Sequence, residues 1–389
     1  MSNYFIHTIE LIKAIDIEKY KELISKCNFN SKNYKWIGFQ NFINLEYIQY
    51  GIRLEIRKCT NNEIKNYSKP FLITVIVNMN MLIYNMDLTK QIHSTDEFDE
   101  AIETLFDIMD KIDSDFQIGD IDESNLSRLD IARDVHGIPE NIIKEVNKML
   151  YRIPMYDGYT NNKSLEENCP SFMRENSFNI ENNSQGFEFV VYNKHQAALD
   201  NCYYNKCVDY FKDTLRIELR CKRKYIRQHF LEKNLKRTLK NAYVNMSSSV
   251  SRVYNRLFKF PTNLCHLESK MMIKYLFDET GNKKARCRRM VTLLDELDKY
   301  PKEDLQTALD NVYPSDKRQN NIKKHYERYG VSPITMRGSY IITQFKDFVN
   351  IIAYDFARNM QNQSLKQLFI AFITPLKLSE KTPTYHTSF

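Results

Sequence analysis

The sequence predicts an α+β domain followed by a helical one, with the division placed at residues 1–240 and 241–389. Two observations carry this. Segments that alternate apolar and polar residues are interleaved with segments of helical period over the first 240 residues. From about 241 the strand signals mostly stop, and the remainder to about 375 keeps only the helical period.

The elements follow in order. "YIQYGIRLEIRK" sets Ile48, Tyr50, Ile52, Leu54 and Ile56 on one face and Arg53, Glu55 and Arg57 on the other, the pattern of a half-buried strand. "FLITVIVNMNMLIY" (71–84) is β-branched and apolar on both faces in its first half, which suits a central strand. Ser94 or Thr95 can cap a helix whose buried stripe is Phe98, Ile102, Leu105, Phe106, Met109 and Ile112. "LSRLDIARDV" is a strand, and "IPENIIKEVNKML" is a helix with Pro139 in its first turn. Residues 156–186, rich in Asn, Ser and Glu, read as a long loop or irregular hairpin. "FEFVVYNKHQ" (187–196), a short helical piece and "TLRIELRCK" then lead into a basic helix from residue 222, with Ile226, Phe230, Leu231, Leu235 and Leu239 as its stripe. No internal repeat and no heptad pattern is evident.

Composition excludes some classes. Hydrophobic residues at 42% and charged residues at 27% are those of a globular chain, not a disordered one. No apolar run approaches the ~20 residues that span a bilayer, and "MSNYFIHTIELIKAI" lacks the cationic start of a secretory signal. The eight cysteines are scattered; Cys202 and Cys207 have no second pair at metal-site spacing, so free thiols are expected. The net charge of +7 is concentrated. Lys222, Arg223, Lys224, Arg227, Lys233, Lys236, Arg237 and Lys240 face a single acid, Glu232, and "KKARCRR" (283–289) forms a second cluster. Such clusters suit a polyanion such as DNA; a solvated helix face is the competing reading.

Three strands place acids opposite their apolar face. Leu129, Ile131 and Val135 oppose Arg128, Asp130 and Asp134; Leu215, Ile217 and Leu219 oppose Arg216, Glu218, Arg220 and Lys222; Phe189 and Val191 oppose Tyr192 and Lys194. If the strands share a sheet, one face collects Asp130, Glu218, Tyr192 and several cations. Two carboxylates there suit Mg²⁺ or Mn²⁺, which polarises a phosphoryl oxygen. A tyrosine is a plausible attacker on a phosphodiester, with Lys194 lowering its pKa from the ordinary ~10. Solvated cross-strand pairs are the alternative. A small-molecule hydrolase built on Asp130 and Glu218 is a further one, which leaves Tyr192 and the basic helix unexplained.

The order "SRLDIARDV", "VVYNKHQ", "LRIELRCKRKY" resembles the replication initiators of rolling-circle elements. It is similar to the gene II proteins of filamentous phages and to the trans-acting Rep proteins of small plasmids. The resemblance covers about residues 45–240 and extends more weakly to "HYERYGVSPITMRGSY" (325–340). It implies a relaxase-like, ferredoxin-like antiparallel sheet carrying a metal-dependent nicking endonuclease. In that reading Tyr192 is the nucleophile with Lys194 beside it, Asp130 and Glu218 are metal candidates, and Tyr225 is a rival or second nucleophile. The histidine pair of the wider superfamily is missing; only Asn78 and Asn80 are polar on the central strand, so a third ligand is unassigned. His195 reads as a structural histidine sooner than a ligand, and Asp134 as a partner of Arg133 or Arg128. The implied function is origin-specific nicking and rejoining of phage or plasmid DNA through a 5′-phosphotyrosyl intermediate. The expected partners are a single-stranded or cruciform origin, a host helicase and a second copy of the chain, with no membrane, in the bacterial cytoplasm. The alternative from another class is a non-catalytic DNA-binding replication or regulatory protein.

Overall fold

The computed structural model describes residues 4–335, apart from 27–29, 34–39, 86, 120–125, 155–158, 162–175, 200–206, 258–263, 265, 268, 281–283 and 301–303. The first part runs β1 (Phe5–Ile15), α1 (Ile17–Lys26), β2 (Asn30–Asn33), β3 (Gln40–Asn44), β4 (Ile52–Lys58), α2 (Asn61–Tyr67), β5 (Phe71–Asn78), α3 (Met79–Tyr84) and α4 (Thr95–Phe116). It continues with β6 (Leu126–His136), α5 (Glu140–Tyr151), β7 (Thr160–Asn161), β8 (Ser177–Asn182), β9 (Phe187–Asn193), α6 (Lys194–Leu199), β10 (Thr214–Lys222), α7 (Arg223–His229) and α8 (Leu235–Leu257). Helices α9 (Ser269–Thr280), α10 (Lys284–Lys299), α11 (Leu305–Val312) and α12 (Asp316–Tyr329) follow.

The fold is α+β. The ten strands among the described residues form one antiparallel sheet in the order β2-β3-β4-β5-β1-β6-β10-β9-β8-β7. That order contains a repeat that the sequence does not betray. Strands β1–β5 are arranged 2-3-4-5-1 and β6–β10 are arranged 6-10-9-8-7, so the halves mirror each other across the central β1–β6 pair. The helices obey the same rule. One follows the first strand (α1, α5), one precedes the fifth (α2, α6), and a short then a long helix close each half (α3 and α4, α7 and α8). In each half the fifth strand lies between the first and the fourth, antiparallel to both. The first and fourth strands of each half therefore run parallel to each other, split around the fifth, within a ten-strand order wider than the ferredoxin-like one expected.

The helices cover the apolar face. Tyr20 of α1 stacks on Phe71, Tyr151 of α5 meets Phe178, Tyr225 of α7 meets Phe187, and Tyr254 of α8 meets Phe189. Helix α4 is capped by Ser94, one of the two residues expected to cap it, and Glu97 completes a capping box.

Several boundaries differ from expectation. Residues 48–50 form a single 3-10 turn, closed by Gly51 at φ 76°, before β4 starts at Ile52. A Cβ on Gly51 would sit 2.5 Å from the Met81 Cβ, so the position takes glycine on two counts. Strand β5 stops at Asn78, whose side chain caps α3. Residues 156–186, expected as a long loop or irregular hairpin, contain β7 and β8, which pair with each other, and β8 pairs on to β9. The basic segment is two helices with a break over 230–234, and Leu231 is exposed instead of buried. A division after residue 240 falls inside α8, whose Leu239, Ala242, Met246, Val250, Val253 and Leu257 are all buried. The remaining described helices, α9–α12, keep the all-helical character expected of the later residues.

Candidate active site on the polar face of the sheet

The cross-strand register fixes which side chains meet. On β10, Arg216 lies opposite Asp134 of β6 and Tyr192 of β9, and Arg220 lies opposite Asp130 and Glu188. Glu218 faces Ala132 and Val190, so it sits diagonal to both Asp130 and Tyr192. The structure thus brings Tyr192, Glu218 and Asp130 together on one face, as alternation along each strand requires.

This face is less open than a solvated sheet surface. Asp130, Arg216, Glu218 and Lys194 are buried, and Tyr192 is half-buried. Phe5 lies beneath the Arg216 guanidinium, 5.6 Å from it, and Gln91 reaches Asp134 from the loop before α4. The rim at Arg128, Arg220 and Lys222 stays partly exposed, with side chains 36%, 27% and 43% accessible. Access to the acids is from that rim.

The charges are tightly paired. Tyr192 Oη donates to Glu218 Oε1 at 2.7 Å, and Arg220 Nε donates to Glu218 Oε2 at 3.1 Å. Arg128 grips Asp130 with both ends of its fork, Nε to Oδ1 at 2.7 Å and Nη2 to Oδ2 at 2.5 Å. Arg216 does the same to Asp134 at 2.5 Å for each bond. Asp134 therefore pairs with Arg216, not with Arg133 or Arg128; Arg133 instead lies over the Tyr4 ring.

These pairings decide protonation. Burial and then the Glu218 charge push the Tyr192 phenol well above its ordinary value. The lowered pKa expected from Lys194 is not found, because burial and the neighbouring Glu218 anion both raise the phenol. Burial alone would raise Glu218, but Arg220, His7 and Arg216 outweigh it and hold the carboxyl below its usual range. Asp130 is pushed up to about 6 by burial, with Glu218 adding to the shift against the pull of Arg128. Burial, then Arg216, lowers Lys194 to about 7. Lys194 opens α6, and its ammonium sits 5.1 Å from the Phe211 ring centre.

Other candidates lie elsewhere. Tyr225 is buried among Phe187, His229 and Phe230 on the helix-covered face, so the sheet separates it from Asp130 and Glu218. His195 is half-buried on α6. Asn78 and Asn80 are spent on backbone amides, those of Asn80 and Ile92. Of the basic segment, Lys222 pairs with Glu181, Lys236 with Glu103 and Lys240 with Asp99. Arg223 lies over Tyr67 and donates to its hydroxyl. Lys224, Arg227, Lys233 and Arg237 are exposed. In the second cluster Lys283 lies outside the described residues, while Arg288 and Arg289 of α10 are exposed. Residues 336–340 of the later motif also lie outside them.

The sequence reading missed His7 and the role of Arg216. A bulge in β1 against β6, where Ile6 and Thr8 face consecutive residues Ile131 and Asp130, turns His7 toward the network. Burial, Arg216 and Lys194 hold His7 well below its ordinary value, against the opposing pull of Glu218 and Asp134. Alternation alone gives no signal for a bulge.

The repeat explains why there is one such site. Matched by register, Glu10 stands where Asp130 does, Thr74 where Glu218 does, and Arg57 where Tyr192 does. The first half therefore lacks the tyrosine–glutamate pair, and it has Leu72 and Ile76 where Arg216 and Arg220 stand.

Asp130 and Glu218 are hard oxygen donors on one face, and the Glu218 charge helps raise Asp130. Two carboxylates with waters and a substrate phosphate are a usual set for Mg²⁺. No group of three or more His, Cys, Asp or Glu suited to a metal occurs among the described residues. Arg128, exposed at the rim, must release Asp130 for a cation to enter. The described cysteines Cys59, Cys221 and Cys287 are free.

Residues 89–250 match the family model for the N-terminal part of the phage replication-associated protein encoded by gene II. The match takes in less than half of the chain, but it spans β6, β9, β10 and thus Asp130, Tyr192 and Glu218. It supports a phage gene II-like replication initiator. No curated protein matches the chain. No described helix is long and apolar enough to cross a membrane.

Proposed function

We propose that this protein nicks and rejoins single-stranded DNA at a replication origin of a phage or plasmid, using Tyr192 as nucleophile. The observation that carries the reading is the 2.7 Å hydrogen bond from the Tyr192 hydroxyl to Glu218 on an acid-bearing sheet face. Tyr192 Oη forms a bond to phosphorus, its proton passes to Glu218 Oε1, and the bond from phosphorus to the 3′-oxygen breaks. The 3′-oxygen takes a proton from water at the rim. The product is a 5′-phosphotyrosyl link and a free 3′-hydroxyl, and rejoining runs the same steps backward.

Glu218 must become a better base as DNA arrives. A phosphate at the rim draws Arg220 toward itself, and Arg220 is the cation that most lowers the Glu218 pKa. Asp130 and Glu218 are the proposed holders of Mg²⁺ or Mn²⁺, which supplies neutralisation of charge on the scissile phosphate. The helices after α8 are assigned origin choice or self-association. A single-stranded or cruciform origin, a host helicase and the bacterial cytoplasm complete the setting this function implies.

The raised Tyr192 pKa favours a second reading, a DNA-binding replication or regulatory protein without chemistry. An end-labelled single-stranded oligonucleotide separates the two. Label that stays on the protein after denaturation, and is absent with Tyr192→Phe, supports the nickase; DNA binding without any adduct supports the binder.

A further inference from the structure

Arg216 has one nitrogen with nothing to do. Its Nε and Nη2 are committed to Asp134, which Gln91 also holds, so the guanidinium cannot swing. Its Nη1 is buried and donates to no protein group. The nearest anion, Glu218 Oε1, is 3.9 Å from Nη1, beyond hydrogen-bond reach. An unmade hydrogen bond of a buried cation is costly, so its retention calls for a partner beyond the protein groups around it. The same Glu218 Oε1 is 2.7 Å from the Tyr192 hydroxyl, and Arg216 and Tyr192 are directly opposed across β10 and β9. A phosphorus bonded to that hydroxyl carries its non-bridging oxygens into the neighbourhood of Nη1.

We infer that Arg216 is a catalytic residue whose Nη1 donates to a non-bridging oxygen of the scissile phosphate during attack by Tyr192. The assignment rests on the nicking reading. It requires an anionic phosphoryl oxygen as the ligand, and the fixed fork supplies a donor set in place before the charge develops. Lys194, the other buried cation near Asp134 and Glu218, lacks that fixed geometry, since a lysine ammonium is a point charge on a flexible stem.

The test compares adduct formation on an ordinary oligonucleotide and on one with a neutral methylphosphonate at the cleavage position, where a methyl replaces one oxygen. Arg216→Lys and Arg216→Gln should slow the ordinary substrate about 10²- to 10³-fold with little change in KM, as loss of one such donor does. On the methylphosphonate, wild type should lose most of that factor and the variants little more. Each variant serves as its own control, because partial unfolding lowers both rates alike. Equal slowing of both substrates, or none, overturns the assignment while leaving the nickase intact. Wild-type protein that forms no adduct with any origin oligonucleotide overturns both. If neither variant folds, wild type decides: the two methylphosphonate stereoisomers must react at different rates, and equal rates refute the contact.

Discussion

The Tyr192 hydroxyl donates its hydrogen bond to Glu218, and this contact ties the proposed nucleophile to its proposed base across adjacent strands. Tyr192→Phe removes one oxygen and little volume. It should lower stability by about 1 kcal/mol, the usual worth of one such bond, leave oligonucleotide affinity within about twofold, and abolish the denaturation-resistant adduct. Glu218→Gln should also stop adduct formation while DNA still binds, since an amide cannot take the phenolic proton. Adduct formation by Tyr192→Phe at the wild-type rate would move the nucleophile elsewhere.

Asp130 is the carboxylate proposed to exchange Arg128 for a cation. Asp130→Asn keeps the shape but leaves the Arg128 fork without its anion. Cleavage should fall at least about 10²-fold in Mg²⁺ or Mn²⁺, comparable to losing one element of transition-state stabilisation, and wild type in excess chelator should behave alike. Full activity of wild type in chelator would remove the ion from the mechanism.

The basic segment does not offer its charges equally. Lys236 and Lys240 are occupied by Glu103 and Asp99 of α4, whereas Lys224, Arg227, Lys233 and Arg237 point to solvent. Neutralising the second set should flatten the log–log salt dependence of single-strand binding by ~0.7 for each phosphate that the protein no longer neutralises. Neutralising Lys236 and Lys240 should change the slope less and the stability of the α4–α8 packing more. Equal slopes for both sets would show that the ion pairs open freely on binding.

How much of this was readable beforehand depends on the kind of signal. Strands β6, β9 and β10 were legible because each alternates without a break, which placed Asp130, Tyr192 and Glu218 on one face. Burial of that face was not, since Phe5 and Gln91 come from distant positions. Tyr225 looked like a rival by its neighbours in sequence, but β10 ends between it and the acids and α7 turns it to the other face. The turn at Gly186 shares in this: a Cβ there would lie 2.7 Å from the Lys224 Cβ, so glycine lets the β8–β9 turn abut the start of α7. The repeat stayed hidden because the matched positions carry different chemistry, Thr74 for Glu218 and Arg57 for Tyr192. Topology kept what the side chains did not.

Lys194 should give the protein a measurable pH signature. Burial lowers it to about 7 in the folded chain, against an ordinary lysine value near ~10.4 when unfolded. Between these values the unfolded state holds the extra proton, so this group's contribution to stability rises with pH from about 7 to about 10. Below 7 the folded state carries the full burden of a buried charge. Lys194→Met removes the linkage, so the mutant's stability relative to wild type should be greatest below pH 7. That margin should shrink by up to about 1.4 kcal/mol per pH unit above it. A difference that stays constant from pH 6 to 9 in denaturant titrations would place the Lys194 ammonium in solvent.

The last prediction concerns where the chain can be cut. Residues 1–240 end within the second turn of α8 and discard Ala242, Met246, Val250, Val253, Tyr254 and Leu257, all buried. Tyr254 packs edge-on to Phe189, two residues from Val191 on the apolar face of the strand that carries Tyr192. A fully buried side chain of this size contributes roughly 1.5–3 kcal/mol, and a whole domain is stable by only about 5–15 kcal/mol. Losing this set exceeds what the fragment can bear. A protein ending at residue 240 should therefore aggregate or lack a cooperative thermal transition. One ending at 257 keeps the second long helix of the repeat and should fold. It should also form the Tyr192 adduct on single-stranded DNA while losing preference for its own origin. Cooperative melting of the shorter fragment with full adduct formation would show that α8 belongs with the helices that follow it.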